Sequence, residues 1–180
     1  MGYAPILLIM EDALAVANYF VKKSFDEGIP VTPMKLVKLV YISHGWYLGL
    51  SDEPLLSERV EAWKYGPVVP SVYNAFRRYG GGEITQAASV TPFTGQPVYP
   101  MVTSPDTDTF LNRIWEVYKN LDGLTLSAMT HQENTPWDMA WNHQGGKNEK
   151  SKVIANDDIQ QFYKQLAVAN LAKADVGHSA

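Results

Sequence analysis

The sequence predicts a mainly α fold: a single compact helical domain with a small antiparallel β excursion. Three observations carry this. Five segments repeat their apolar residues at helical spacing. Thr32-Pro33, Ser104-Pro105 and Thr135-Pro136 each put a capping hydroxyl before a proline, a helix-start signature. One stretch, within residues 51–69, alternates as a strand does. With 180 residues, 46% of them hydrophobic, the chain can bury one sizeable core and is not disordered as a whole.

In chain order, Ala13, Val16, Ala17, Phe20 and Val21 form the stripe of a first amphipathic helix, stopped at Gly28. Thr32-Pro33 opens a second, MKLVKLVYISHGWYL, which is apolar nearly all round and therefore belongs in the middle of the domain. Gly45 and Gly49 weaken it as a helix, so a closely packed neighbouring backbone is expected there. Asp52-Glu53-Pro54 reads as a turn and Glu58 to Trp63 as a short strand, broken by Gly66-Pro67 and Pro70. Val72, Phe76 and Tyr79 restore helical spacing until the glycines at 80–82. Residues 83–105 offer at most an edge strand around Val98 to Val102. Phe110, Ile114, Val117 and Leu121 predict a helix from Pro105 to about Gly123, followed by a short one over 124–130. Trp137, Ala140 and Trp141 share a buried face, 145–151 is a solvated loop, and a last helix from about Asn156 turns Ile159, Phe162, Tyr163 and Leu166 inward. The expected organisation is an extension at 1–10, one domain at 11–170 and a fraying tail at 171–180.

Charge and composition narrow the function. The net charge is −4, only 19% of residues are charged, and 21 are aromatic, a surface suited to protein contacts. The absence of cysteine removes disulfides, thiolate metal sites and cysteine nucleophiles. The acidic balance argues against nucleic-acid binding by the isolated protein, since Lys35, Lys38, Arg77 and Arg78 are the one candidate basic patch. The early apolar run, Pro5 to Met10, is too short to span a membrane and lacks the flanks of a signal peptide, so a cytoplasmic protein is expected.

No catalytic motif is complete. GGK at 145–147 is followed by Asn148 where a phosphate loop needs Ser or Thr, and there is no G-x-S-x-G elbow. His44, His131, Glu133 and His143 could be drawn into an acid–base pair or a metal site, but no HExxH spacing supports it. For His131, Glu133 and Asn134 a capping role near a helix end is the better reading, with an enzyme built on His131 and Glu133 as the alternative. No catalytic residue, metal or cofactor is expected.

The segment Glu61-Ala62-Trp63-Lys64-Tyr65-Gly66-Pro67-Val68-Val69-Pro70 carries more information. On a strand Trp63 and Tyr65 would share a face, with Lys64 on the other and Gly66 and Pro67 fixing the chain beyond. This could be a rigid aromatic platform for a partner or an anchor of the β excursion in the core, and both roles suit buried aromatics. Arg77 and Arg78 are similarly either solvated helix or anion contacts.

ANYF at 17–20, TPMKLVKLVYISHGWYL at 32–48, EAWKYGPVVPSVYNAF at 61–76 with RRYG after it, and THQENTPWDMAW at 130–141 together resemble the Panacea-domain family, the group of SocA-like and phage-associated GepA-like proteins. The resemblance runs in order from about residue 11 to 166. Val37 departs from it, standing where the family commonly has Gln. The resemblance implies an antitoxin that neutralises a cognate toxin by direct binding, and in part of the family a proteolytic adaptor that hands the toxin to an AAA+ protease. A DNA-binding autoregulator is the remaining alternative, because many antitoxins repress their own promoters.

Overall fold

The computed structural model describes residues 10–177, with side chains to residue 171; residues 1–9 of the extension expected at 1–10 and the end of the expected tail at 178–180 lie outside the described residues. Its elements are α1 (Ala13–Glu27), α2 (Pro33–Ser51), β1 (Val60–Trp63), β2 (Gly66–Val68), α3 (Pro70–Phe76) with a 3-10 turn at Arg77–Tyr79, α4 (Pro105–Tyr118), α5 (Gly123–Thr130), α6 (Pro136–Asp138) running into a π turn at Met139–His143, β3 (Lys152–Ile154) and α7 (Asn156–Gly177). The fold is mainly α with a small antiparallel sheet ordered β2-β1-β3. Among the described residues no helix is long and apolar enough to cross a membrane.

The helices start where their caps dictate. Asp12, Thr32, Ser104, Asp122 and Thr135 accept backbone N–H bonds at the first turns of α1, α2, α4, α5 and α6, satisfying donors the helix itself leaves free. α2 is the central element: Leu36, Leu39, Val40, Tyr41 and Ile42 are buried, and α1, α4, α5 and α7 pack around it. Gly49 meets the backbone of α7, the close backbone contact expected, whereas Gly45 meets a side chain of the same helix. A Cβ at residue 49 would lie 2.9 Å from the Tyr163 carbonyl carbon, and one at residue 45 would overlap the Tyr163 ring. Phe20 stacks on Trp115 at 6.3 Å to close the α1–α4 side.

Three local expectations are corrected. α4 ends at Tyr118, and Gly123 opens α5 instead of closing α4; a Cβ there would come within 2.9 Å of the Lys35 nitrogen. The inward face of α4 is Thr107, Leu111, Ile114 and Trp115, while Val117 is exposed. The strand expected around 98–102 is a single bridge between Val90 and Val98. Buried Asn18 holds this long connection instead, donating to the Ala88 and Pro100 carbonyls and accepting from the Ala88 N–H, each at 2.8–2.9 Å.

His44 is fully buried and ties three segments together. Its Nδ1 accepts the Leu56 N–H at 3.3 Å, so Nε2 carries the proton and donates to Asn156 Oδ1 at 3.0 Å. Burial pushes its pKa below the usual 6.5. The unfolded chain therefore binds the extra proton first, and stability falls as pH drops below 6.5. The limb should steepen by up to about 1.4 kcal/mol per pH unit, measured by urea unfolding between pH 5 and 7.5, and should be absent in His44→Gln. An equally steep limb in that variant would assign the acid sensitivity elsewhere.

Candidate functional site

The β1–β2 hairpin and the start of α2 enclose an apolar groove of about 420 Å³. Met34 and Val37 line it from α2, Trp63, Tyr65 and Val68 from the hairpin, and Tyr73 from α3. Trp63 and Tyr73 meet edge to face at 4.9 Å. Trp63 is held on both sides: its indole N–H donates to Glu61 Oε2 at 2.8 Å, and its carbonyl accepts from the Trp137 indole at 2.7 Å. Ser127 fixes the turn by donating to the Tyr65 carbonyl at 3.1 Å. Tyr65 itself is 64% exposed. Trp63 also borders a wider recess of about 580 Å³ against residues 146–151, but that space is open and walled by the mixed charges of Lys147, Glu149 and Lys150.

Gly66 and Pro67 are buried on β2, between the groove-lining residues Tyr65 and Val68. Gly66 has φ of +108°, and any Cβ would collide with the Lys38 ammonium, so glycine is required on both counts. Pro67 sits on β2, an edge strand where a missing N–H is tolerated. Its carbonyl accepts from Lys38 Nζ at 3.0 Å. Lys38 is 2% exposed, and desolvation alone pulls its pKa down to about 7. Among the described residues no carboxylate lines the groove, whereas Lys64 and Arg77 do.

The description "Antitoxin SocA-like, Panacea domain" matches residues 36–138. The antitoxin SocA of Caulobacter vibrioides (strain NA1000 / CB15N) is 32% identical over 137 residues, covering 74% of this chain and 72% of that protein. The chain belongs to the SocA-like Panacea family. No solved structure matches it. The matched stretch of this Panacea domain holds every groove residue named above except Met34, including Val37, which is part of the apolar wall.

Within the Panacea domain the structure brings Trp63, Lys64, Tyr65, Gly66, Pro67 and Arg77 to one place but rearranges them. β1 ends at Trp63, so Lys64 and Tyr65 form the hairpin turn and the two rings do not alternate along one strand. Lys64 consequently does not face away from the rings; its ammonium lies 5.3 Å from the centre of the Tyr65 ring. Arg78 leaves the groove, donating to Tyr79 Oη at 3.1 Å and Gln86 Oε1 at 3.5 Å. The four-residue basic patch does not exist as a surface, because Lys35 and Lys38 are buried and only Arg77 and Arg78 are exposed. Lys35 instead reaches the Lys119 carbonyl beneath Trp115.

The polar cluster of the Panacea domain does not converge either. His131 Nδ1 donates to the Ser127 carbonyl and its ring meets Trp137 edge-on at 4.9 Å. Glu133 is exposed on the turn, and Asn134 takes a left-handed φ of +62° with its N–H on Asp138 Oδ2 at 3.0 Å. Asp138, not Glu133, organises this turn; the Asn142 amide and the Asn134 N–H hold its carboxyl below the usual range. His143 lies 3.6 Å from Asp138 and His44 sits at the far end of α2. Among the described residues no three His, Cys, Asp or Glu side chains group as a metal site requires. Sequence reasoning also missed Met34, Lys38 and Tyr73 as groove residues. A lysine inside an otherwise apolar helix was the available signal for Lys38.

Proposed function

We propose that this chain is an antitoxin: residues 11–170 act as one Panacea-like unit that neutralises a cognate toxin by direct binding, with the groove around Trp63, Lys64 and Tyr65 as the binding face. The observation behind this reading is an exposed aromatic side chain, Tyr65, on a turn pinned by Ser127 and Trp137, in a chain of the SocA-like family. Rigid aromatics on a fixed backbone bind at low ordering cost. The Caulobacter relative, itself an antitoxin, supports the same reading. Delivery of the toxin to an AAA+ protease extends it, and a toxin half-life unchanged by this chain in cells would remove that extension.

The test is co-expression with the protein of the adjacent reading frame, scored by growth rescue and co-purification. Tyr65→Ala and Lys64→Glu alter exposed side chains, so melting temperatures should stay near wild type. Tyr65→Ala should weaken binding about thirtyfold, the scale of a central aromatic contact. If both variants rescue as well as wild type, the toxin sits elsewhere.

A further inference from the structure

Lys38 is more than the Pro67 carbonyl needs. Among the described residues its ammonium makes one hydrogen bond, to Pro67, although it carries three donors. A neutral donor would satisfy that carbonyl without burying a charge. Buried cations in folded proteins are normally paired with an anion, because desolvation otherwise disfavours them by several kcal/mol. Here the lysine is 2% exposed and belongs to the groove lining beside Met34, Val37, Trp63 and Tyr73, and among the described residues the charged members of that lining are Lys38, Lys64 and Arg77. This segregation occurs in a chain of net charge −4.

We propose that the groove receives an acidic side chain of the bound toxin, its carboxylate meeting the Lys38 ammonium while a neighbouring apolar side chain covers Trp63 and Tyr73. The proposal rests on the toxin-binding reading above and specifies what the toxin must present there. An acidic side chain fits better than a free chain end. Its methylene stem can lie along the apolar walls, and the toxin's peptide groups stay outside, where water satisfies them. A buried chain terminus would bring amide groups into a lining that offers them few partners. Lys64 and Arg77 at the rim attract the same acidic segment and speed encounter.

The experiment uses the full chain and the adjacent-frame protein. Each Asp and Glu of that protein is changed to Asn or Gln, and binding is measured against the wild-type chain and against Lys38→Met. One acidic position should lose about a hundredfold in affinity with the wild-type chain, and that loss should shrink to less than about threefold against Lys38→Met, the signature of a desolvated charge pair. If Lys38→Met folds poorly, Lys64→Met and Arg77→Met decide in its place: the loss at that acidic position must persist in full against both, and a loss that shrinks against either assigns the carboxylate to the rim and overturns the inference. If Tyr65→Ala weakens binding yet no acidic position loses more than tenfold, the inference is overturned and the binding face stands. If Tyr65→Ala, Lys38→Met and the scan all leave binding intact, both the face and the inference fail.

Discussion

Gly49→Val should loosen the centre of the fold. At this position α2 and α7 touch through backbone: the added Cβ would lie 2.7 Å from Tyr163 Cβ, 2.9 Å from its carbonyl carbon and 3.0 Å from the Lys164 nitrogen. A side chain can swing aside, but a helix backbone must translate whole. Moving α7 would also disturb Tyr163, whose ring packs edge to face on Trp46 at 5.2 Å and on Tyr41 at 6.2 Å. Overpacking of this kind costs about 3 kcal/mol, and the melting temperature should fall by roughly 6–12 °C. Gly81→Ala is the control, since nothing lies within 4 Å of its Cβ position. Equal melting temperatures for Gly49→Val and wild type would show that α7 yields at this contact.

Lys38→Met should act in the opposite direction and depend on pH. The lysine titrates near 7 in the folded chain against 10.5 when solvated, so from pH 7 upward the unfolded chain holds the extra proton. Stability then rises with pH, by up to about 1.4 kcal/mol per pH unit. Below pH 7 the full penalty of the buried charge is present, roughly 5 kcal/mol for that pKa difference. Methionine removes the charge at similar volume but leaves the Pro67 carbonyl without its donor, a loss of about 1–3 kcal/mol. Lys38→Met should thus be more stable than wild type by roughly 2–4 kcal/mol at pH 6 and lose that advantage by pH 9.5. Lys35, also lowered by burial, contributes in the same direction and keeps part of the slope. Above pH 10 the buried phenols of Tyr41 and Tyr163, both raised by desolvation, reverse the trend, so the informative window is pH 6–9.5. Urea unfolding across it checks the result; a variant less stable at pH 6 would make Lys38 a structural cap of β2 rather than a group held for a ligand.

Much of the helical framework was legible before folding. Caps at Thr32, Ser104 and Thr135 marked true starts, because a hydroxyl before proline both satisfies free donors and presets φ. A close backbone neighbour was legible from Gly49, but that α7 supplies it was not, nor that Gly45 makes room for a ring instead. Val117 misled because helical spacing identifies a stripe without saying which of two overlapping stripes meets the core; Trp115 on α4 decided that by stacking on Phe20. β3 escaped notice because three residues are too short to show alternation, and its pairing with Val60–Ala62 exists only after α6 and its π turn bring it there.

The candidate site divides similarly. Residue identity alone marked Trp63, Lys64, Tyr65, Gly66 and Pro67 as a segment with a job, and motif order carried the family. Those are local properties of the chain, set by side-chain chemistry and by the φ limits of glycine and proline. Which ring is exposed, where Lys64 turns, that Arg78 departs, and that Lys38 is buried without a carboxylate were decided by tertiary structure. Burial and electrostatic pairing depend on what packs opposite a residue, and the partners of Lys38 lie 29 positions away on β2. A helix sequence states that a lysine is present; only the packed hairpin removes its water and sets its ammonium on the Pro67 carbonyl.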